Sequence, residues 1–301
     1  MIFKISHRTT FSYTQPVSIS RHALHITPRR HRRQACRRSV LTVEPQPAVN
    51  TGDVDYFGNP VTFLTIQEPH ERLVIHAMSV VEVDSPPTPD PTATEPWEQV
   101  KAGLSGDLSN EGLDAFQFAF ESSFTRAKPA VGDYALESFR PGRPVLEAAL
   151  DLTQRIFRDF VYDGTATTIS TPVDQVFRER RGVCQDFAHL QIAAIRQIGL
   201  PARYVSGYLL TYPAPGTEKL IGSDASHAWL SVWCGRAGWV DFDPTNNKIP
   251  TTEHITLAWG RDYGDVSPIR GVMIGGADHT IDVAVDVTPM EGAAEPVTPL
   301  S

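Results

Sequence analysis

Apolar and polar residues change their periodicity twice along the chain. Over the first 84 residues, β-branched and aromatic side chains come in short runs, FSYTQPVSIS, RRSVLTVEP, PVTFLTIQE and RLVIHAMSVVEV, with turn-forming residues between them. Such runs predict strands, and their spacing predicts an antiparallel β domain over residues 1–84. DSPPTPDPTATEP, residues 84–96, then concentrates proline and small polar residues, which disfavours regular structure and marks a boundary. Residues 97–127 read as weakly helical, so 85–136 is taken as a linker and helical region.

From residue 145 the period becomes helical. Val145, Leu146, Ala149, Leu152, Ile156, Phe157 and Phe160 form one apolar stripe. A second helix is expected to start near Cys184, carrying Phe187, Leu190, Ala194 and Ile198 on one face until Gly199 and Pro201 end it. Two strand-like segments follow, ARYVSGYLL and SHAWLSVW, and CGRAG joins the latter to WVDFDPT as a hairpin. The pattern places an α+β core at residues 137–290 and a tail at 291–301.

Composition narrows the function classes. No stretch approaches the ~18 apolar residues that span a bilayer, and MIFKISHRTTFSYT lacks a signal peptide's apolar region, so a soluble cytoplasmic protein without a membrane partner is expected. The three cysteines, Cys36, Cys184 and Cys234, form no C-x-x-C pair, so no disulfide framework, structural zinc or cofactor is suggested. Nine of the 27 Lys and Arg residues lie in the first 40 positions, which hold no acid, while all 35 acidic residues lie beyond. The cluster TPRRHRRQACRRS has the charge to meet nucleic acid or anionic lipid, yet it lacks interleaved aromatics. A solvated or internally paired surface, with no nucleic-acid partner, is the expectation.

Candidate chemistry centres on Cys184. A cysteine at a helix start meets free backbone N–H groups and the positive end of the helix dipole, which favour the thiolate. A nucleophilic thiol also needs a base and a group to orient it. Period-two alternation puts His227, Trp229, Ser231 and Trp233 on one face of the first hairpin strand, and Trp239, Asp241 and Asp243 on one face of the second. If Trp233 pairs with Trp239, Asp243 lies opposite Trp229 and diagonal to His227, and a register shifted by two brings Asp243 and His227 directly opposite; both registers keep them on one face. Asp241 has the same parity, and geometry alone leaves both carboxylates open.

GVCQDFAHL, PARYVSGYL, SHAWLSVW and GWVDFDPTNN resemble successive motifs of the bacterial transglutaminase-like family, a branch of the papain-like cysteine hydrolases and transferases. DYFGNPVTFLTIQEPHERLVIHAMSVVEV resembles its N-terminal β domain, and HITLAWGRDYGDVSPIRGV its C-terminal segment. The resemblance implies a papain-like transglutaminase core preceded by an antiparallel β domain, with Cys184 as nucleophile, His227 as base and acid, and Asp243, rather than Asp241, as orienting carboxylate. Gln185, Asp186, Arg261, Asp262 and Tyr263 also match family motifs and are expected to support the walls of the site. The implied substrate is a peptide or protein amide, attacked to give an acyl-thioester that water or an amine resolves. Family context further implies an ATP-grasp ligase-like protein and an α-helical companion as partners.

Other hydrolytic chemistries fit less well. H-E-x-x-H is absent, and Ser206 and Ser223 lack the G-x-S-x-G setting of a nucleophile elbow. A peptide N-glycanase would share the triad but commonly adds paired-cysteine zinc motifs, which this sequence lacks. The alternative from another class is a binding or assembly protein that keeps the fold without turnover. Loops 163–171 and 211–224 are candidate covers for an amine-accepting site.

Overall fold

The computed structural model describes residues 1–84, 89–211 and 226–290. Its first layer is an antiparallel sheet built on one long strand, β1 (Ile2–Leu24). β2 (Gln34–Glu44), β3 (Val49–Val54), β4 (Pro60–Ile66) and β5 (His70–Val83) complete the N-terminal part, in the order β2-β5-β1-β4-β3. Alternation decides the register: Phe3 and Ile5 of β1 point inward with Val81 and Val83 of β5, and a one-residue slip would turn all of them to solvent.

The helical region follows as α1 (Trp97–Leu104), α2 (Asn110–Phe116) and α3 (Pro129–Leu136). Val131, Tyr134 and Ala135 of α3 already belong to the main core, so the packed unit begins before the expected limit at residue 137. α4 (Val145–Asp159) buries Val145, Leu146, Ala149, Leu152 and Ile156 as its stripe requires. Phe157 departs from that expectation and is half exposed. A two-residue parallel pair, β6 (Val161–Tyr162) with β7 (Arg181–Gly182), brackets α5 (Val173–Glu179).

α6 (Cys184–Gln197) is the central helix, buried from Asp186 to Arg196 on every side. It ends in a Schellman turn: Gly199 at φ +87° donates to Arg196 O, and Leu200 donates to Ile195 O. Four antiparallel strands form the second sheet, β8 (Ala202–Leu209), β9 (Ser226–Trp233), β10 (Trp239–Phe242) and β11 (His254–Gly260), in the order β10-β9-β8-β11. One face of this sheet, with Ala228, Leu230, Val232 and Phe242, joins α4 and α6 in the core. Arg196 of α6 is a buried clamp, its guanidinium donating to Phe118 O, Ala202 O and Arg261 O.

The chain's last described elements correct the expected limits of the core. After α7 (Tyr263–Val266), β12 (Ile269–Gly275) and β13 (His279–Pro289) return to the first sheet and pair with β1. The first sheet is therefore seven-stranded, and Val285 and Val287 pack with Phe3, Tyr208 and Ile255 where the two sheets meet. The tail 291–301 and nearly all of the candidate cover at 211–224 lie outside the described residues.

Arg29 and Arg33 of the basic cluster are drawn into contacts at this junction, whereas Arg37 is paired at the surface. Arg29 donates to Phe57 O and Asn59 Oδ1, Arg33 donates to Pro250 O, and Arg37 pairs with Glu82.

Candidate active site

Cys184 is the first residue of α6 and is half-buried. Its backbone N–H, in the first turn, has no intrahelical acceptor and sits at the positive end of the helix dipole. Val183 precedes it in extended conformation and has no side-chain oxygen to cap the helix. Asp186 supplies the fixing contacts instead, accepting the Val183 N–H at 2.8 Å and the Thr167 hydroxyl at 2.6 Å. Burial raises the Asp186 pKa, and those two donations oppose the rise. Gln185 donates to Ile169 O at 3.1 Å, so Gln185 and Asp186 both tie the 163–171 loop to the helix start.

His227 lies on β9 opposite Gly207 of β8. A Cβ at Gly207 would overlap Ile255 O and the Trp229 ring, so glycine here lets that indole lie beneath the histidine. The hairpin pairs Trp233 with Trp239, one of the two registers the alternation allows, and ends with Phe242 opposite Leu230. Asp243 follows, and its Oδ2 accepts His227 Nε2 at 2.8 Å.

The same oxygen accepts His254 Nε2 at 2.9 Å and Asn246 Nδ2 at 2.7 Å. Its partner Oδ1 accepts the backbone N–H groups of Thr245 at 3.0 Å and Asn246 at 3.2 Å. Five donations converge on a carboxylate with no exposed surface. Burial alone would raise the Asp243 pKa, but the His227 and His254 donations hold it well below the usual carboxylate range. For His227, burial works against the charged ring, yet Asp243 and then Cys184, both as hydrogen-bonding partners, push its pKa up to about 10. Since Nε2 is held by Asp243, Nδ1 is the atom left for Cys184. His254 behaves in the opposite way: burial outweighs Asp243, lowers its pKa and keeps it neutral.

The structure thus brings Cys184, His227 and Asp243 together, and separates Asp241 from them. Asp241 is bonded by Ser231 Oγ and by Trp229 Nε1, the latter at 3.4 Å, and faces the far end of the sheet. Trp229 is fully buried, 6.1 Å from the His227 ring and 5.1 Å from the His254 ring. Trp239 packs elsewhere, against Trp233 and Phe118. In the GRDYGD segment, Arg261 pairs with Asp265, Asp262 caps α7, and Tyr263 N donates to His189. Of these contacts the one to His189 reaches α6, and none reaches Cys184, His227 or Asp243.

Two polar groups of the site escape the sequence reading. Asn246 sits in the DPTNN turn, three residues past Asp243, where an amide returning to a buried carboxylate is a local signal. His254 opens a separate strand, and no spacing rule links it to Asp243. His227, Asp243 and His254 offer three ligand atoms within 4.8 Å of one another, a set able to grip a divalent ion. Their 2.8 and 2.9 Å separations are those of N–H groups donating to a carboxylate, so the protonated network accounts for the arrangement.

Comparison with known proteins agrees with this architecture. Residues 3–82 match the bacterial transglutaminase-like N-terminal region, and residues 133–244 match the transglutaminase-like superfamily core. An uncharacterized protein of Mycobacterium tuberculosis is 43% identical over 97% of this chain and 94% of its own length. One of Mycobacterium leprae is 33% identical over 95% of this chain and 98% of its own. A protein-glutamine gamma-glutamyltransferase of Pseudomonas aeruginosa is 30% identical over 33% of this chain, but only 16% of that protein is covered. Among solved structures, a putative cysteine protease from Cytophaga hutchinsonii shares the fold, with a TM-score of 0.74, 21% identity and coverage of 98% of this chain and 93% of that one. With an N-terminal β region and a core that both match, and relatives aligned over nearly its whole length, the chain belongs to the bacterial transglutaminase-like family.

Proposed function

We propose that the protein is a cysteine-dependent acyl-transfer enzyme that hydrolyses a peptide or isopeptide-like amide. The observation that carries this reading is the His227 ring, held at Nε2 by a saturated carboxylate and raised to a pKa of about 10 with Cys184 as its other partner. Such a ring stays protonated at neutral pH, the state that stabilises a thiolate and supplies a proton to a leaving amine. Cys184 Sγ attacks the amide carbon, and the resulting oxyanion meets the free Cys184 N–H at the start of α6. Collapse breaks the C–N bond as His227 protonates the amine, leaving an acyl-thioester. His227 then takes a proton from water, whose oxygen attacks the thioester and releases the acid and the thiolate. Asp243 fixes the tautomer and ring plane throughout.

Water is favoured as acceptor because Cys184 is half-buried rather than enclosed, which leaves the thioester open to solvent. Transfer to an amine is the second reading, favoured by the partial likeness to the Pseudomonas aeruginosa gamma-glutamyltransferase. The two separate when glutamine- and isopeptide-containing peptides are incubated with and without a labelled primary amine. Free acid insensitive to added amine is expected. Efficient amine incorporation at low acceptor concentration selects transfer instead, and the absence of any thioester together with an inert Cys184 selects a non-catalytic binding or assembly role.

A further inference from the structure

The four-stranded sheet carries a second feature on the His227 face, at its opposite end. A cavity of about 590 Å³ opens there between the sheet, the 31–33 loop and α2, and none of Cys184, His227 and Asp243 lines it. That volume suits a small organic ligand.

Arg203 of β8 is the distinctive group in its wall. The side chain is buried, with 7% of the residue exposed, and its guanidinium carbon lies 3.8 Å from the Trp259 ring centre and 4.3 Å from that of Trp239. Arg29 stacks on Trp259 as well, at 3.4 Å, so cations and indoles alternate in a ladder. With indoles against its faces, the Arg203 guanidinium has only its N–H edge left for hydrogen bonds. That edge is unused: Nε is buried without a partner, and no hydrogen bond or ion pair to it is found among the described residues. Burial lowers the Arg203 pKa to about 9, opposed by Asp241 and Asp114, so the group remains a cation at neutral pH. A buried, unpaired cation is costly unless something occupies its edge.

A second orphan donor lies within the same wall, behind its surface. His31 Nδ1 accepts the Arg33 N–H at 3.4 Å, which leaves Nε2 to carry the proton of the neutral ring, and Nε2 is buried without a partner. Burial lowers the His31 pKa to about 4, keeping that ring neutral. The planar Arg203 fork, unpaired in this wall, matches an oxyanion. The remaining wall sets its charge and body: Arg32, Arg33 and Arg236 offset Glu111, Asp114 and Asp241, which leaves the Arg203 fork to meet a single negative charge, and the Trp233 and Trp239 rings offer apolar surface.

We infer that this cavity binds a small organic monocarboxylate, its carboxylate on the Arg203 edge and its apolar body against the Trp233 and Trp239 rings. Calorimetric titration with phenylacetate, phenylacetamide and inorganic phosphate tests it. Phenylacetate should saturate one site, and the uncharged amide should bind at least about tenfold more weakly. Arg203→Gln should weaken phenylacetate by at least about tenfold, and Cys184→Ala should leave it unchanged, marking the site as separate. Asp114→Asn, at an exposed position, removes a like charge and should tighten binding by roughly two- to threefold. If Arg203→Gln does not fold, the acid-to-amide ratio and the Asp114→Asn effect decide. Equal affinity for acid and amide, tighter binding of phosphate, no gain in Asp114→Asn, or no saturable site at all overturns the inference.

Discussion

Asp243 and Asp241 stand two residues apart with the same parity, yet they serve opposite ends of one sheet face. Asp243 is a closed point, with five donors on a carboxylate that has no exposed surface. Asp241 is bonded by Ser231 and Trp229 and looks onto a cavity where the guanidinium of Arg203 is unpaired. A saturated anion fixes the one group it touches, here the imidazole that meets Cys184. An unsatisfied wall leaves bonding capacity for something that arrives from outside. Trp229 joins the two ends, donating to Asp241 while stacking near His227.

The largest effect that can break this contrast is expected from Asp243→Asn. It preserves the shape but reverses a hydrogen-bonding partner of Nε2, so steady-state kinetics should show a loss in kcat of up to about 10⁴-fold with the fold intact. The pH profile sharpens the point. Because the His227 pKa is raised to about 10, the alkaline limb of kcat/KM should fall near that value rather than near the ~6.5 of a free imidazole, and Asp243→Asn should move it down. The stability signs follow by linkage. The protonated His227 stabilises the folded state fully below ~6.5, and this is lost as pH rises through about 10. Asp243, held low, contributes above the ordinary carboxylate value of ~3.9, and its share is lost as pH falls through its depressed folded value.

His254→Phe should be intermediate. It removes one of three side-chain donors from Asp243 Oδ2, so kcat should drop by about tenfold, the scale of one charge-assisted hydrogen bond, and the alkaline limb should shift. A purely structural histidine would lower the melting temperature without moving that limb. Asp241→Asn is the smallest, within about threefold in kcat, because the residue does not touch His227 and a lost rim-side charge is worth little to chemistry elsewhere. Exchange of the two aspartate phenotypes would mean that the contrast is drawn at the wrong residue.

Local pattern carried much of this arrangement. The start of α6 at Cys184, its arrest at Gly199, and the β9–β10 hairpin follow from spacing and turn chemistry over fewer than twenty residues, while the choice of the Trp233–Trp239 register over one shifted by two does not. Parity placed both aspartates on the His227 face but could not rank them, because rank depends on where the turn after Phe242 sends the carboxylate. His254 was beyond reach for a related reason: its strand reaches Asp243 through a sheet order, β10-β9-β8-β11, that sequence neighbours do not encode. The return of β12 and β13 to β1 is the same problem at full chain length, since pairing of Ile5 with Val287 leaves no periodic trace in either segment.

Selective alkylation of the three cysteines at neutral pH asks whether His227 activates Cys184. Cys36, half-buried with a pKa raised by burial, and Cys234, fully buried with its pKa raised further, are internal controls in the same chain. Iodoacetamide labelling followed by peptide mass spectrometry should find Cys184 modified first, with its rate falling at least about tenfold in His227→Ala while Cys36 is unaffected. A Cys184 that reacts no faster than Cys36, or that is indifferent to the loss of His227, would contradict the account.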